Sequence, residues 1–164
     1  EPPQLNKSII MPSWVQNNFI GNLKGEWITC LNDDDILLPT YVSAFSDQVP
    51  ERNGPALLYT GELRVRANRD GAIYEILDIN IADRVRGPGE FECQIDYLQC
   101  AVNRPMWDRL YRDYAGKPYP ESWEYKNHPD GTFMERASHI SLAQPVHGFH
   151  CLNRRTPSSR YCGA

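Results

Sequence analysis

The sequence predicts an α/β fold in a single domain, and three observations lead to that prediction. A short apolar run at 26–31 has the composition of a buried strand. Helical spacing follows at 38–49, and a second apolar strand candidate follows at 56–60. The order strand, helix, strand is typical of α/β proteins and predicts parallel pairing. At 164 residues with 41% hydrophobic content, the chain is long enough to bury one core.

The first elements follow from periodicity and punctuation. Residues 1–14 carry prolines without a clear period and predict an irregular lead-in. Apolar residues at helical spacing predict a helix over 15–23, with Gly25 as its C-terminal cap. After the strand at 26–31, apolar positions at Leu38, Val42, Phe45 and Val49 predict a second helix, with Pro39 in its first turn.

The later elements begin with a hairpin, because the Asp70-Gly71 pair separates two short strand candidates. Asp130 stands where the N-cap of a short helix would stand. The predicted elements after 60 are, in order, strands at 62–66, 72–77 and 94–102, helices at 105–114 and 131–137, and strands at 140–143 and 146–151.

Charge, hydropathy and cysteine content exclude several classes of protein. The net charge of −4 argues against a general nucleic-acid binder. The sequence has no apolar run of the roughly 18 residues needed to span a bilayer, so we expect no transmembrane segment. The 5 cysteines form no CxxC pair, and we interpret them as reduced thiols in a cytoplasmic protein.

The most informative stretch is Asn32-Asp33-Asp34-Asp35, which directly follows the predicted strand 26–31. Ligands of open α/β sheets gather at the carboxyl ends of strands. Three adjacent carboxylates repel one another, and a hard divalent cation with oxygen ligands would offset that repulsion. The alternative is that the acids cap the following helix and favour its positive N-terminal dipole.

His147 and His150 also suggest a metal site, but their spacing argues against it. Residues three apart in a regular strand point to opposite faces and would not converge on one ion. We therefore expect a structural role for both, with a reach toward the metal of the acidic run as a weaker alternative.

These residues resemble the family 2 glycosyltransferases, which have the GT-A fold. The most specific match is the segment from Gly25 to Pro39, which is similar to the family's DxD region. Three later segments match in order: 94–104 with Asp96, His128–Gly131 with Phe133 and Arg136, and 146–159 with Arg154, Arg155 and Ser158. Asn32 departs from the family pattern, because aspartate often occupies that position.

The resemblance implies a GT-A domain with a mixed, mostly parallel sheet flanked by helices. It also implies that the chain is truncated at its N-terminus. The family's domain begins with a strand and several βα units that bind the nucleotide, and these have no counterpart before Asn17. We therefore interpret residues 1–164 as one partial GT-A domain, with the lead-in at 1–14 and a mobile C-terminal tail at 152–164.

The resemblance also implies roles for individual residues. Asp34 would bind Mn²⁺ or Mg²⁺, and Asp130 would be the catalytic base of an inverting sugar transfer. The donor would be a nucleotide-diphosphate sugar, with a UDP-sugar favoured, and the acceptor a glycan, lipid or small molecule. The residues expected to contact donor or acceptor are Asn32, Asp33, Asp35, Asp96 and Arg155.

Two other functions remain open from the sequence. The chain could be a degenerate GT-A domain that acts only as a binding or structural module, or a simple divalent-metal-binding domain without sugar chemistry. An incomplete sheet would expose an edge and apolar surface, so we also expect some self-association into a homo-oligomer.

Overall fold

The structure is a computed structural model. It describes residues 16–18, 20–32, 34–49, 56–91, 95–120 and 129–155. The predicted lead-in at 1–14 therefore lies outside the described residues, as does Asp33. Within those ranges, no helix is long and apolar enough to cross a membrane.

The described part of the chain combines strands and helices, as an α/β fold requires. The strands are β1 (Trp27–Thr29), β2 (Ile36–Leu37), β3 (Leu57–Ala67), β4 (Ile73–Asn80), β5 (Cys100–Asn103) and β6 (Ala143–Arg155). The α-helices are α1 (Tyr41–Asp47), α2 (Arg104–Asp113) and α3 (Pro129–Ser138). Short 3₁₀ turns cover Ile20–Asn22 and Tyr97–Gln99.

One sheet contains all six of these strands, and it is mainly antiparallel. Its order is β1-β5-β3-β6-β2, and β4 pairs with β3 outside this path. Among the described strands only β3 and β6 pair in parallel, so the prediction of a mostly parallel sheet is wrong. The reason is β5, which lies between β1 and β3 and runs antiparallel to both. β1 and β3 do point the same way, but they are not neighbours.

Strand β3 organises the sheet, because one of its edges pairs with β6 and the other with β5 and then β4. The strands predicted at 56–60 and 62–66 are one strand. The predicted hairpin is confirmed. In its turn the Asn68 carboxamide oxygen accepts from the backbone N–H groups of Asp70 (3.0 Å) and Ala72 (2.9 Å), and Gly71 has a φ of +84°.

Strand β6 is also longer than predicted. It contains the strand expected at 146–151 but only Ala143 of the strand expected at 140–143, since residues 140–142 lie in the turn before it. It includes residues 152–155, which we had assigned to the C-terminal tail. A bulge makes this length possible. Val146 pairs with Thr60 and Phe149 with Gly61, so His147 and Gly148 are extra residues, and Gly148 has a φ of +103°.

The helices follow the predicted positions with shifted ends. Helix α2 confirms the prediction at 105–114, and the Asn103 side chain caps it by accepting from the N–H of Met106 at 3.0 Å. Helix α1 begins after Pro39, at Tyr41. Its buried side chains are Tyr41 and Phe45, whereas Val42 is 72% exposed, so the predicted apolar face was partly wrong.

The N-terminal segment and helix α3 also differ from prediction. Residues 16–18 are helical, and 20–22 form a 3₁₀ turn. Gly25 does not adopt the positive φ of an αL cap. Helix α3 starts at Pro129, so Asp130 lies in its first turn and is not its N-cap.

The core is divided between two apolar clusters. The aromatic core (Trp107, Tyr119, Phe133 and the apolar residues around them) contains Leu57 and Tyr59 of β3. Leu58, between them in sequence, belongs to a second cluster with Tyr41 and Phe45 of α1. This alternation is expected for a strand with both faces covered. In the aromatic core the Tyr119 and Phe133 rings stack at 4.1 Å.

Candidate functional site

The acidic run after β1 forms a tight turn. The backbone N–H of Asp35 donates to the carbonyl of Asn32 at 3.2 Å, and the Asn32 side-chain N–H donates to Asp35 Oδ2 at 2.8 Å. Strand β2 follows the turn, and the first turn of α1 contains no acidic residue. The alternative that these acids cap the next helix is therefore wrong for Asp34 and Asp35.

The end of β6 holds this turn against a second acidic residue. The backbone N–H of Arg154 donates to Asp35 Oδ1 at 3.1 Å, and its Nε donates to the carbonyl of Asp34. The preceding residue, Asn153, donates from its side chain to Asp96 Oδ2 at 2.7 Å. Consecutive residues of one strand thus join parts of the chain that are far apart in sequence.

Asp96 lies at the start of a 3₁₀ turn, where a strand at 94–102 had been predicted. Its Oδ1 accepts from the N–H of Tyr97 at 2.8 Å, and its own N–H donates to Gln99 Oε1 at 2.9 Å, which completes a capping box. Residues 92–94 lie outside the described residues, and β5 begins only at Cys100. The capping box fixes the Asp96 carboxylate while leaving Oδ2 for Asn153.

Glu62 is a fourth carboxylate at this site, and the sequence analysis missed it. The residue is fully buried, and its Oε1 accepts from Arg64 Nε at 2.6 Å. Its other oxygen, Oε2, is buried without a hydrogen-bond partner. The alternation of Glu62, Arg64 and Arg66 along one strand was the available signal, because it places all three on one face.

These four residues form the carboxylate cluster: Asp34, Asp35, Glu62 and Asp96. Burial is the main cause of the raised pKa values of Asp35, Glu62 and Asp96, since it disfavours the charged form. It raises the pKa of Asp35 to about 6 and that of Glu62 to about 7. Burial also raises the pKa of Asp96. The charge of Asp96 adds to the pKa rise of both Asp35 and Glu62, so the groups act on one another.

Guanidinium groups partly offset these negative charges. The positive charges of Arg64 and Arg155 lower the pKa of Asp96 against the effect of burial. Arg154 contributes hydrogen bonds to the acidic turn. The raised pKa values of Asp35, Glu62 and Asp96 show that burial and mutual repulsion outweigh this compensation.

A divalent cation fits the chemistry of this cluster, although the protein alone does not form a complete cage. Among the described residues no group of three or more His, Cys, Asp or Glu side chains is arranged to hold a metal ion. Mg²⁺-type sites in nucleotide enzymes commonly use one or two carboxylates, with waters and substrate phosphates as the other ligands. The buried, unpartnered Glu62 oxygen and the excess of negative charge are consistent with such a shared site.

Asp130 lies in the first turn of α3, and its charge acts on Cys100, as that of Asp96 does. Its Oδ1 accepts from the N–H of Gly131 at 2.9 Å. Burial raises the pKa of the Cys100 thiol well above its usual value, and the charges of Asp96 and Asp130 add to that rise. Both carboxylates therefore act electrostatically on the same thiol, which also donates to the carbonyl of Asp96 at 3.6 Å.

His150 has partners for both ring nitrogens. Nε2 lies 2.9 Å from the carbonyl oxygen of His147, which can only accept, so Nε2 carries the proton. Nδ1 lies 2.8 Å from the Thr40 hydroxyl. The bulge at 147–148 removes the regular alternation on which our argument about opposite faces was based. These hydrogen bonds support a structural role for His150.

The comparisons with known proteins add no assignment: the chain matches no protein-family profile and has no significant match among the curated proteins.

Of the cysteines, Cys30, Cys100 and Cys151 are free thiols, and Cys93 and Cys162 lie outside the described residues.

Proposed function

We propose that the protein transfers a sugar from a nucleotide-diphosphate sugar to a glycan, lipid or small-molecule acceptor, as a GT-A enzyme of the family 2 type. UDP-sugars are the favoured donors, and Mn²⁺ or Mg²⁺ is the expected cofactor. The free thiols of the three described cysteines are consistent with a reducing, cytoplasmic location.

One observation carries the proposal: carboxylates that the resemblance assigns to the donor site lie together in the fold. Asp34 and Asp35 come from the turn after β1, and Asp96 comes from a 3₁₀ turn more than sixty residues later. Both positions are hydrogen-bonded to adjacent residues of β6, Asn153 and Arg154. A purely structural role would not require several mutually repelling carboxylates to be buried near one another.

The donor's diphosphate needs its negative charge neutralised as it leaves. Asp34 is the proposed metal ligand, with Asp35 and Asp96 beside it, and a divalent cation held there would supply Lewis-acid stabilisation of the departing phosphate oxygen. Arg155, at the end of β6, supplies a guanidinium group suited to phosphate oxygens. Asn32 fixes the turn by donating to Asp35, which holds the carboxylate in one orientation.

The acceptor hydroxyl must lose its proton as it attacks the sugar carbon. We assign this role to Asp130, in the first turn of α3. The bond between Asp130 Oδ1 and the Gly131 N–H orients the carboxylate. A carboxylate in an inverting transfer accepts the proton on the face opposite the leaving diphosphate, so it must lie within hydrogen-bond reach of the hydroxyl.

The proposal is tested by measuring UDP release from a panel of UDP-sugars with Mn²⁺, with and without oligosaccharide acceptors. Asp130→Asn keeps an oxygen that can accept from Gly131, but it removes the base. We expect it to lower the transfer rate by about a hundredfold or more while UDP binding is unchanged. Asp108→Asn, an exposed acid on α2, is the matched control and should keep full activity.

Two results would contradict this assignment. Full activity in Asp130→Asn would remove Asp130 from the mechanism. Absence of UDP release by the folded wild-type protein, with every donor and acceptor in the panel, would favour the alternative of a non-catalytic binding or structural module.

A further inference from the structure

A polar groove lies on the β3–β4 hairpin, beside the carboxylate cluster. Its volume is about 480 Å³. The groove is formed where β4 ends and the chain continues through 81–86, and its lining includes Arg64, Asp78, Asn80 and Arg84. Asp34, Asp35 and Asp96 do not line it, so it is a separate surface from the proposed donor site.

Two of the arginines in the groove are paired with carboxylates. Arg64 pairs with Glu62 at 2.6 Å and lies 3.5 Å from Asp78, and Arg84 pairs with Glu90 at 3.0 Å. Asp83 adds another exposed carboxylate to the lining. Arg86 also lines the groove, and its guanidinium donates to the Tyr59 hydroxyl at 3.3 Å and to the carbonyl of Glu90 at 3.1 Å. With the carboxylates of Glu62 and Glu90 counted as partners of Arg64 and Arg84, the groove has no surplus of positive charge that would select a phosphate or another anion.

The groove instead offers closely spaced donors and acceptors of hydrogen bonds beside apolar surface. Guanidinium, carboxamide and carboxylate groups from Arg84, Asn80 and Asp83 are suited to neighbouring hydroxyl groups. Ile79 and Ile81 also line the groove and are 50% and 55% exposed. Hydroxyl groups at the edge of a ring and C–H groups on its face are the combination that an uncharged sugar presents.

Arg64 connects the groove to the proposed reaction site. Its guanidinium lines the groove, bonds Glu62 of the carboxylate cluster, and lowers the pKa of Asp96. An occupant of the groove that contacts Arg64 would therefore lie next to the partner of Glu62 in the carboxylate cluster.

We propose that this groove binds an uncharged oligosaccharide as the acceptor of the transfer. The proposal rests on the function proposed above, and it narrows the acceptor from a glycan, lipid or small molecule to a neutral glycan. Asp83 and Arg84 are the residues that contact it, and Ile79 and Ile81 support the sugar rings.

The test is a titration of methyl-labelled isoleucine in the full chain, followed by NMR. Ile79 and Ile81 report on the groove, Ile36 next to Asp35 reports on the donor site, and Ile140 at the aromatic core is the internal control. Isoleucine-to-leucine substitutions assign the signals. The probes are cellohexaose, chitohexaose, a hyaluronan hexasaccharide as the anionic comparison, and UDP with Mn²⁺.

We expect a neutral hexasaccharide to shift Ile79 and Ile81 and leave Ile140 unchanged. Asp83→Asn should weaken that binding about tenfold, because it removes a charged acceptor of hydrogen bonds, and Asp108→Asn should not. No shift with either neutral sugar, a response to hyaluronan alone, or equal binding by Asp83→Asn would overturn the inference.

The donor probe separates this inference from the proposed function. Mn²⁺ with UDP should broaden the Ile36 signal through its unpaired electrons. Broadening at Ile36 without any sugar response in the groove would reject the acceptor site alone. Sugar binding without any effect of UDP and Mn²⁺ at Ile36 would count against the proposed transfer, and with it the role of the bound sugar as acceptor.

Discussion

The aromatic core and the carboxylate cluster are both buried, but burial has opposite consequences in the two regions. Trp107, Tyr119 and Phe133 are each at most 3% exposed, and removing such surface from water stabilises the fold by about 25 cal/mol per Å². Asp35 is 8% exposed and Glu62 is fully buried, and there burial raises the pKa and disfavours the charged form.

Strand β3 links the two regions within four residues. Tyr59 belongs to the aromatic core, and Glu62 belongs to the carboxylate cluster. The aromatic core therefore stabilises the fold, whereas the buried carboxylates of the cluster lower its stability. Substitutions in each region should separate these two contributions.

The largest effect is expected from truncating the centre of the aromatic core. Trp107→Ala removes an indole whose ring centre lies 6.0 Å from that of Tyr119 and 6.2 Å from that of Phe133. We expect the free energy of unfolding, measured by urea denaturation, to fall by about 3–5 kcal/mol through lost burial and a residual cavity. Tyr111→Ala, which alters a 45% exposed ring on the same helix, should cost less. Equal losses of unfolding free energy in the two variants would contradict a larger contribution from the buried indole of Trp107.

A smaller loss is expected at Gly61, where the two regions meet on β3. A Cβ at this position would lie 2.7 Å from the carbonyl oxygen of Gly148 and 2.8 Å from that of Asn80. Both are backbone atoms, so Gly61→Ala must displace β6 or β4, and we expect a loss of roughly 1–3 kcal/mol in thermal or urea unfolding.

Gly87→Ala is a suitable control for that substitution. The added Cβ would approach only side-chain atoms, the nearest of them Leu142 Cδ2 at 3.2 Å. A side chain can move more easily than two backbone carbonyls, so its effect should be smaller. A Gly61→Ala protein as stable as wild type would show that the backbone of β6 can move at its bulge without a loss of stability.

In the carboxylate cluster, a substitution should increase stability. Glu62 has a pKa of about 7 in the folded protein, above the usual value of about 4.3. The folded state therefore binds this proton more tightly than the unfolded state does, and its contribution to stability is lost as the pH rises from about 4.3 to 7. Glu62→Gln should keep an oxygen for Arg64 and raise the free energy of unfolding at pH 8 by about 1–2 kcal/mol.

The matched control is Glu75→Gln, at the partner of Arg66 in an exposed pair. It should leave the difference in unfolding free energy between pH 5 and pH 8 close to that of wild type, whereas Glu62→Gln should reduce that difference. An unchanged pH dependence in Glu62→Gln would mean that its burial carries no electrostatic cost.

The sequence was sufficient for features that depend on local chemistry. The Asp70-Gly71 hairpin is confirmed because its turn needs only an Asn68 side chain and a glycine at positive φ. Helix α2 is confirmed because Asn103 and Pro105 together define its start. The turn at Asn32–Asp35 could likewise be placed at the end of β1 from the neighbouring residues alone.

Features that depend on distant partners could not be predicted. The insertion of β5 between β1 and β3 depends on pairings across many residues, which periodicity does not encode. The contacts of Asn153 and Arg154 with Asp96 and Asp35 exist only once β6 lies beside β3. The bulge in β6 also invalidated an argument from strand alternation, because His147 is itself one of its extra residues.

The central claim is that the carboxylate cluster, despite its cost in stability, serves to bind a cation with a nucleotide diphosphate. Calorimetric titration of UDP into the full chain, with and without Mn²⁺, tests it most directly. We predict binding only in the presence of Mn²⁺, a loss of affinity of at least about tenfold in Asp34→Asn, and no change in Asp108→Asn. Metal-independent UDP binding, unchanged affinity in Asp34→Asn, or no binding by the folded protein would contradict the claim.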